Sequence, residues 1–211
     1  KNKALRQAFA YAIDVPDFIK KMLNGRGTKL NSIVPHEIAG NESDTGISGY
    51  EYNVEKAKAK LVEAGHPGGQ GLKPLIIDFA GTSKASRDMG EYFRIQLAKV
   101  GIKVEPNYQE FSAYLRKVDA ANFQIAWGAW SADYPDPENF FQLFYGPNKA
   151  PGPNHGSYVN PSYDKLYEQI RFMPNGPERY GLLKEMAAMI NEDVPAALTY
   201  SSIRFGLYQK W

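Results

Sequence analysis

Cysteine is absent from this chain of 211 residues, so neither disulfide bridges nor thiolate zinc sites are open to it. Histidine is almost as scarce, with three residues at 36, 66 and 155, far apart in sequence. No metal site and no cofactor are expected. No apolar run approaches the ~20 residues of a membrane-spanning helix. Neither sign of charge dominates: 25 basic and 23 acidic residues leave a net charge of +2, spread along the chain. That balance offers no electrostatic footprint for nucleic acid or an anionic membrane. Internal repeats and low-complexity tracts are also lacking. The lack of cysteine excludes no compartment, but it suits a protein that folds outside the cytosol without bridges. There is no signal peptide and no initiator Met. The chain opens at Lys1 inside a helical pattern and stops at Trp211 after a strand-like run. It is therefore expected to be an excised segment, whose missing targeting information means little.

What is present is a chain 43% hydrophobic, enough to bury a core as one large domain or lobe. Leu5, Phe9, Ala12 and Ile13 recur at helical spacing. A second helix is predicted over 16–23, with Asp14 as N-cap and Pro16 in its first turn. From 24 to 52 the pattern dissolves into Gly, Pro, Ser and Asn, a loop long enough to be functional or to cross between parts. Asn53 then caps a helix carrying Val54, Ala57 and Leu61, which Gly65 ends. Strands are predicted over 75–80, 102–108, 123–130 and 197–208. Helices fall between them, marked by Met89, Phe93 and Leu97, by the run 111–121, and by the starts at Asn160-Pro161 and Asn175-Gly176-Pro177. Such alternation argues for an α/β layered lobe with a mostly parallel sheet flanked by helices. The near-continuous apolarity of 123–130 predicts a central strand buried on both faces.

That strand runs into Trp130-Ser131-Ala132-Asp133-Tyr134-Pro135-Asp136-Pro137-Glu138-Asn139-Phe140, a turn rich in Pro and acidic residues. The mouth beyond the carboxyl end of a strand is where α/β folds bind ligands. An aromatic side chain and a carboxylate delivered there suit a ligand with an amine and apolar side chains. Trp127 and Trp130, three apart on a strand, point to opposite faces, so at most one meets the ligand and Trp130 is favoured.

The run 127–140 resembles the W-(S/T/C)-x-D-(Y/N)-x-D/E-P-x-x-F segment of the oligopeptide- and dipeptide-binding proteins that feed ABC importers, the peptide-binding class (family 5) of extracytoplasmic solute-binding proteins. Further stretches follow in that family's order. Arg6 to Asp14 is similar to its R-x-A-hydrophobic-x-Y-A-I-D helix, and Asn24-Gly25-Arg26-Gly27 with Ser32-Ile33-Val34-Pro35 to its G-x-G…S-x-hydrophobic-P stretch. Tyr52 to Lys58 with Leu61, Ala64 and Gly65 resembles its Y-(D/N)-P-E-K-A-K…L…A-G helix, and Gln96 to Val104 its helix-to-strand passage.

The resemblance implies a type II, periplasmic-binding-protein-like fold. Residues 1–211 would form a single C-terminal lobe of a two-lobe protein, with the N-terminal lobe and the final return strands absent. It implies capture of a peptide or other small solute between lobes and delivery to an ABC permease in the membrane. The place would be the periplasm or, for a lipoprotein, the outer face of the cytoplasmic membrane. No enzymatic activity and no nucleic-acid partner are implied. By the same resemblance Asp133 receives the peptide α-amino group, the backbone of Ala129, Trp130 and Ser131 pairs with the ligand as an added strand, Trp130 supplies an apolar wall, and Tyr134 joins the site. An ammonium offers three donors, and charge-assisted bonds to a carboxylate are worth ~1.5–3 kcal/mol. Two positions depart from the pattern. Ala129 stands where many relatives have Gly, and Trp127 where some place an Arg that meets the ligand carboxylate. Long or blocked peptides and other cationic solutes therefore stay open beside short ones, as do sugars or metal complexes.

Plainer readings stand beside these. Asp133 could be a surface turn residue. Asp136 and Glu138 are expected to serve the turn and the helix cap, although with Asp133 they could form a carboxylate pair of the glycosidase kind. Prolines fall where a calcium loop needs alternate ligands. Tyr145 and His155 flank a Gly/Pro/Asn-rich loop, where a lone histidine is expected to be solvated. The glycine-rich run 65–71 follows a helix and enters a strand, the reverse of a phosphate loop, and is read as a turn. Asn41-Glu42-Ser43 is a glycosylation sequon by pattern only.

Overall fold

Helix starts sit where the sequence supplies a side-chain acceptor. Asn2 accepts from Leu5 N at 3.1 Å to open α1 (Lys3–Ala12), and Asp14 from Asp17 N at 3.0 Å to open α2 (Val15–Leu23). Asn53 accepts from Lys56 N at 2.8 Å at the head of α3 (Val54–Glu63), and Ser83 from Ser86 N at 3.2 Å at the head of α4 (Lys84–Ala98). Each bond satisfies one of the amides that a helix N-terminus leaves without a partner. The computed structural model describes residues 2–38 and 46–209, so the sequon at 41–43 lies outside the described residues.

The glycine-rich run after α3 turns the chain through a short 3-10 helix, Pro67–Gly69, into the next strand. It presses backbone against backbone: a Cβ on Gly101 would lie 2.2 Å from the Gly68 carbonyl oxygen, and Gly101 itself has φ of +90°. This contact fixes where α4 ends and the next strand begins.

Three parallel strands form the sheet. β2 (Leu75–Ala80) lies in the middle, paired with β3 (Val104–Gln109) from Leu75↔Val104 to Ala80↔Gln109. On its other side it pairs with β4 (Ile125–Trp127) from Ile77↔Ile125 to Phe79↔Trp127. Helix α4 connects β2 to β3, and α5 (Phe111–Asp119) connects β3 to β4. A separate antiparallel pair joins β1 (Gly27–Lys29) to β5 (Tyr200–Ser202).

The central position falls to β2, which corrects the expectation for 123–130. β4 is three residues long, half-buried, and at the edge of the sheet among the described residues. Its apolar run is interrupted physically: the Gln124 side chain accepts from Ile76 N at 2.7 Å at one end, and residues 128–130 leave the ladder exposed at the other. The predicted strand over 197–208 is likewise only β5, followed by an exposed segment. The predicted loop 24–52 contains β1.

Two apolar cores result. The first packs Ile77 and Phe79 of β2 against α1 to α4 through Phe18, Leu61, Phe93 and Leu97. The second joins α7 (Pro161–Ile170) and α8 (Pro177–Asp193) to the short helix α6 (Glu138–Phe141), through Phe141, Tyr163, Leu183 and Met186. Ile33 and Val34, from the predicted loop, are buried in this second core. Arg6 ties the two together. Its guanidinium donates to the carbonyls of Asp193 (2.6 Å) and Val194 (2.9 Å), closing the C-terminus of α8 where carbonyls lack helical partners.

Candidate functional site

All three parallel strands end on one side, and that mouth carries the run singled out in the sequence. After β2 comes Thr82, whose hydroxyl donates to Glu110 at 3.1 Å; after β3 come Glu110 and the exposed Phe111. After β4 the chain runs through residues 128–137 and enters α6. The last ladder residue, Trp127, faces inward, its ring 5.0 Å from Phe93 and 5.8 Å from Phe18. Tyr114 of α5 donates to the Trp127 carbonyl at 2.8 Å. Trp130 is 38% exposed at the mouth. The structure thus places Trp127 in the core and leaves Trp130 as the tryptophan available at the surface.

Beyond Trp127 no strand takes up the backbone. The main-chain groups of Ala129, Trp130 and Ser131 make no hydrogen bond among the described residues, and all three residues are exposed. Asp133 is exposed too, and its carboxylate has no hydrogen-bond or ion-pair partner among them.

The two following acids are differently placed. Asp136 accepts from Glu138 N at 2.8 Å and takes both terminal nitrogens of Arg179 at 2.8 and 2.7 Å. Arg179, on α8, is 3% exposed and also donates to the Ile170 carbonyl at 2.9 Å. Burial would raise the Asp136 carboxyl. The Arg179 bonds, the Glu138 amide and the guanidinium charge outweigh it and hold Asp136 below its ordinary value. Glu138 accepts from the hydroxyls of Tyr134 and Tyr167. Burial, aided by the bond to Glu138, pushes the Tyr167 hydroxyl far up, so it stays a neutral donor. These contacts give Asp136 and Glu138 the turn and helix-start roles expected of them. Two of the three carboxylates that a hydrolytic pair would draw on are engaged in this way. Among the described residues no three His, Asp or Glu side chains cluster so as to hold a metal ion.

Sequence reasoning missed Asn139 and Arg179. Asn139 is 0% exposed, and its Oδ1 accepts from Trp130 Nε1 at 2.7 Å and from Asp133 N at 3.3 Å. An Asn followed by two Phe at the end of an acidic turn was the available signal; for Arg179, 43 residues from Asp136, there was none. Tyr134 is 47% exposed next to Asp133, with its hydroxyl held by Glu138. Tyr145 stacks on Tyr167 at 4.4 Å and donates to Glu168 at 2.8 Å. His155 is not simply solvated: Nε2 lies 3.3 Å from Asp119, at the end of α5 away from the mouth.

A parallel sheet flanked by helices is the architecture of type II periplasmic binding proteins, and the solved structures below share it. Residues 1–152 match the family model for bacterial extracellular solute-binding proteins, family 5, middle region, and the chain belongs to that family. It is 27% identical over 208 residues to heme-binding protein A of Haemophilus influenzae, covering 97% of this chain and 37% of that protein. Against the dipeptide-binding protein of Escherichia coli it is 27% identical over 203 residues, covering 95% and 38%. The structure superposes with a TM-score of 0.85, at 28% identity, on the periplasmic binding protein DppA of Helicobacter pylori in complex with the peptide STSA, covering 94% of this chain and 38% of that one. HbpA2 of Haemophilus parasuis shares the fold at a TM-score of 0.85 and 23% identity, with 95% and 39% covered. The chain thus spans under two-fifths of the length of these relatives. No helix among the described residues is long and apolar enough to cross a membrane.

Proposed function

We propose that this chain is most of the C-terminal lobe of a two-lobe solute-binding protein, which captures peptides between its lobes and delivers them to an ABC permease. The N-terminal lobe and the final return strands belong to the same parent protein. The observation that carries the reading is Asp133: an exposed carboxylate without a protein partner among the described residues, at the mouth of the parallel sheet, directly after an unpaired stretch of backbone. A peptide α-ammonium supplies the missing donors. Residues 129–131 then pair with the peptide main chain, an interaction indifferent to side chains and so tolerant of many sequences. Trp130 and Tyr134 furnish apolar walls beside it. Relatives named for dipeptides and a solved complex with the peptide STSA support this choice of ligand.

Cleft closure follows from the same arrangement. A ligand bridging both lobes favours the closed form by its differential affinity for that state. The cargo leaves unchanged, since the acids near Asp133 are engaged by Arg179 and by tyrosine hydroxyls. The protein works outside the cytoplasm, in the periplasm or lipid-anchored at the outer face of the cytoplasmic membrane.

The test uses the full-length protein. Its thermal shift is recorded with a pool of tetrapeptides and with the same pool N-acetylated, for wild type and Asp133→Ala. A shift that needs both the free amine and Asp133 is expected. Equal shifts with the two pools would remove Asp133 from this role, and no shift with either would remove peptides.

A further inference from the structure

Asn139 lies beneath the mouth rather than in it. It is completely buried in the first turn of α6, followed by the buried Phe140 and Phe141 and preceded by the Asp136–Arg179 ion pair. A single oxygen, Oδ1, accepts from the Trp130 indole at 2.7 Å and from the Asp133 amide at 3.3 Å. Those donors belong to the two residues that carry the proposed site. Among the described residues the Asp133 carboxylate has no partner to hold it, so its position derives from the Asp133 backbone, and the Asp133 amide is bonded to Asn139. The Trp130 ring, beyond the end of the ladder, is tied to the protein's polar network only by its indole N–H.

We propose that Asn139 is the positioning residue of the ammonium site, holding the Trp130 wall and the Asp133 carboxylate at a fixed spacing before the peptide arrives. This rests on Asp133 being the ammonium acceptor. A carboxamide oxygen suits the task because its two lone pairs serve two donors without placing a second charge beside Asp133. Ordering the turn in advance removes that cost from binding.

The experiment is a double-mutant cycle on the full-length protein: wild type, Asp133→Asn, Asn139→Leu and the double variant. Each is titrated calorimetrically with the tetrapeptide that gives the largest shift in the pool above, and its tryptophan emission is recorded. Asn139→Leu is expected to weaken binding by about tenfold, the scale of one lost hydrogen-bonded restraint. It should change binding little further once Asp133 is already Asn, because positioning matters only while the carboxylate is there. Trp130 emission should shift with Asn139→Leu. If Asn139→Leu does not fold, Asn139→Ala replaces it in the cycle. Equal, additive losses in both backgrounds would make Asn139 a general structural residue and overturn the proposal. So would unchanged binding by Asn139→Leu while Asp133→Asn weakens it, with the Asp133 assignment left standing. Unchanged binding by Asp133→Asn, or no peptide bound at all, overturns both.

Discussion

Replacing Arg179 by Met would expose how the acidic turn is held. The side chain is 4% exposed, makes two bonds to Asp136 at 2.7 and 2.8 Å, and donates to the Ile170 carbonyl at 2.9 Å. Met fills most of the volume but leaves the Asp136 carboxylate half-buried without its counter-charge. Breaking a buried pair from one side costs ~3–5 kcal/mol. For a folding unit of this size that corresponds to a fall in melting temperature of about 6–20 °C. The assay is thermal and urea unfolding of wild type, Arg179→Met, Asp136→Leu and the double variant. The double should lose less than the sum of the singles, since no charge is left stranded. The pH dependence follows in sign. Asp136 is held below its ordinary 3.8 in the folded state, so its contribution is fully present above that value and is lost as pH falls through the lower, folded value. The gap between wild type and Arg179→Met should therefore narrow in acid. A loss below ~1 kcal/mol at neutral pH, the range of exposed surface pairs, would refute the reasoning.

Three further outcomes are expected. Gly101→Ala should destabilise more than Gly65→Ala in urea unfolding. Both glycines have positive φ, but a Cβ at 101 would meet the Gly68 carbonyl at 2.2 Å, whereas nothing lies within 4 Å at 65. The strain alone is on the order of 1–2 kcal/mol, so equal losses would refute the close approach. In alkali, burial pushes the Tyr50 hydroxyl up to about 12. Its stabilising effect is present below the unfolded value near 10 and is lost as pH rises from there to about 12. Tyr50→Phe should flatten part of that decline in an unfolding series; an unchanged slope would count against it. Finally, Asp133→Ala should leave the urea midpoint within ~0.5 kcal/mol of wild type, as for surface positions without partners, while abolishing dependence on the free amine.

Much of the fold was legible because its signals are local. Asn53 and Asn160 cap the helices they precede, and Gly65 and Gly101 stop them, with no distant partner needed. Strands are different, because a strand exists only where another pairs with it. Residues 75–80 and 123–130 read alike as apolar runs, yet β2 has neighbours on both sides and β4 on one. β1 and β5, more than 170 residues apart, carry three residues each; β5 lies within the predicted run 197–208, whereas β1 has no pattern of its own. The site divides along the same line. Asp133 and Trp130 could be read from the turn they occupy, while Arg179 reaches Asp136 from another helix and Asn139 acts through bonds invisible in a linear string.

The resemblance to the family has the same two-sided meaning in physical terms. Arg6, within the first motif, binds the carbonyl end of α8, and Asn53, within another, caps α3. Those motifs mark how the fold is assembled, not what it binds. In the run 127–140 the distinction falls between neighbouring acids: Asp136 is taken by Arg179 and Glu138 by two tyrosine hydroxyls. Among the described residues Asp133 alone of the three keeps a carboxylate without a partner, and it does so where the strands end and the main chain is unpaired. On the reading proposed above, Asp133 is the acceptor whose donor arrives with the ligand, and its backbone is held from below by the buried Asn139.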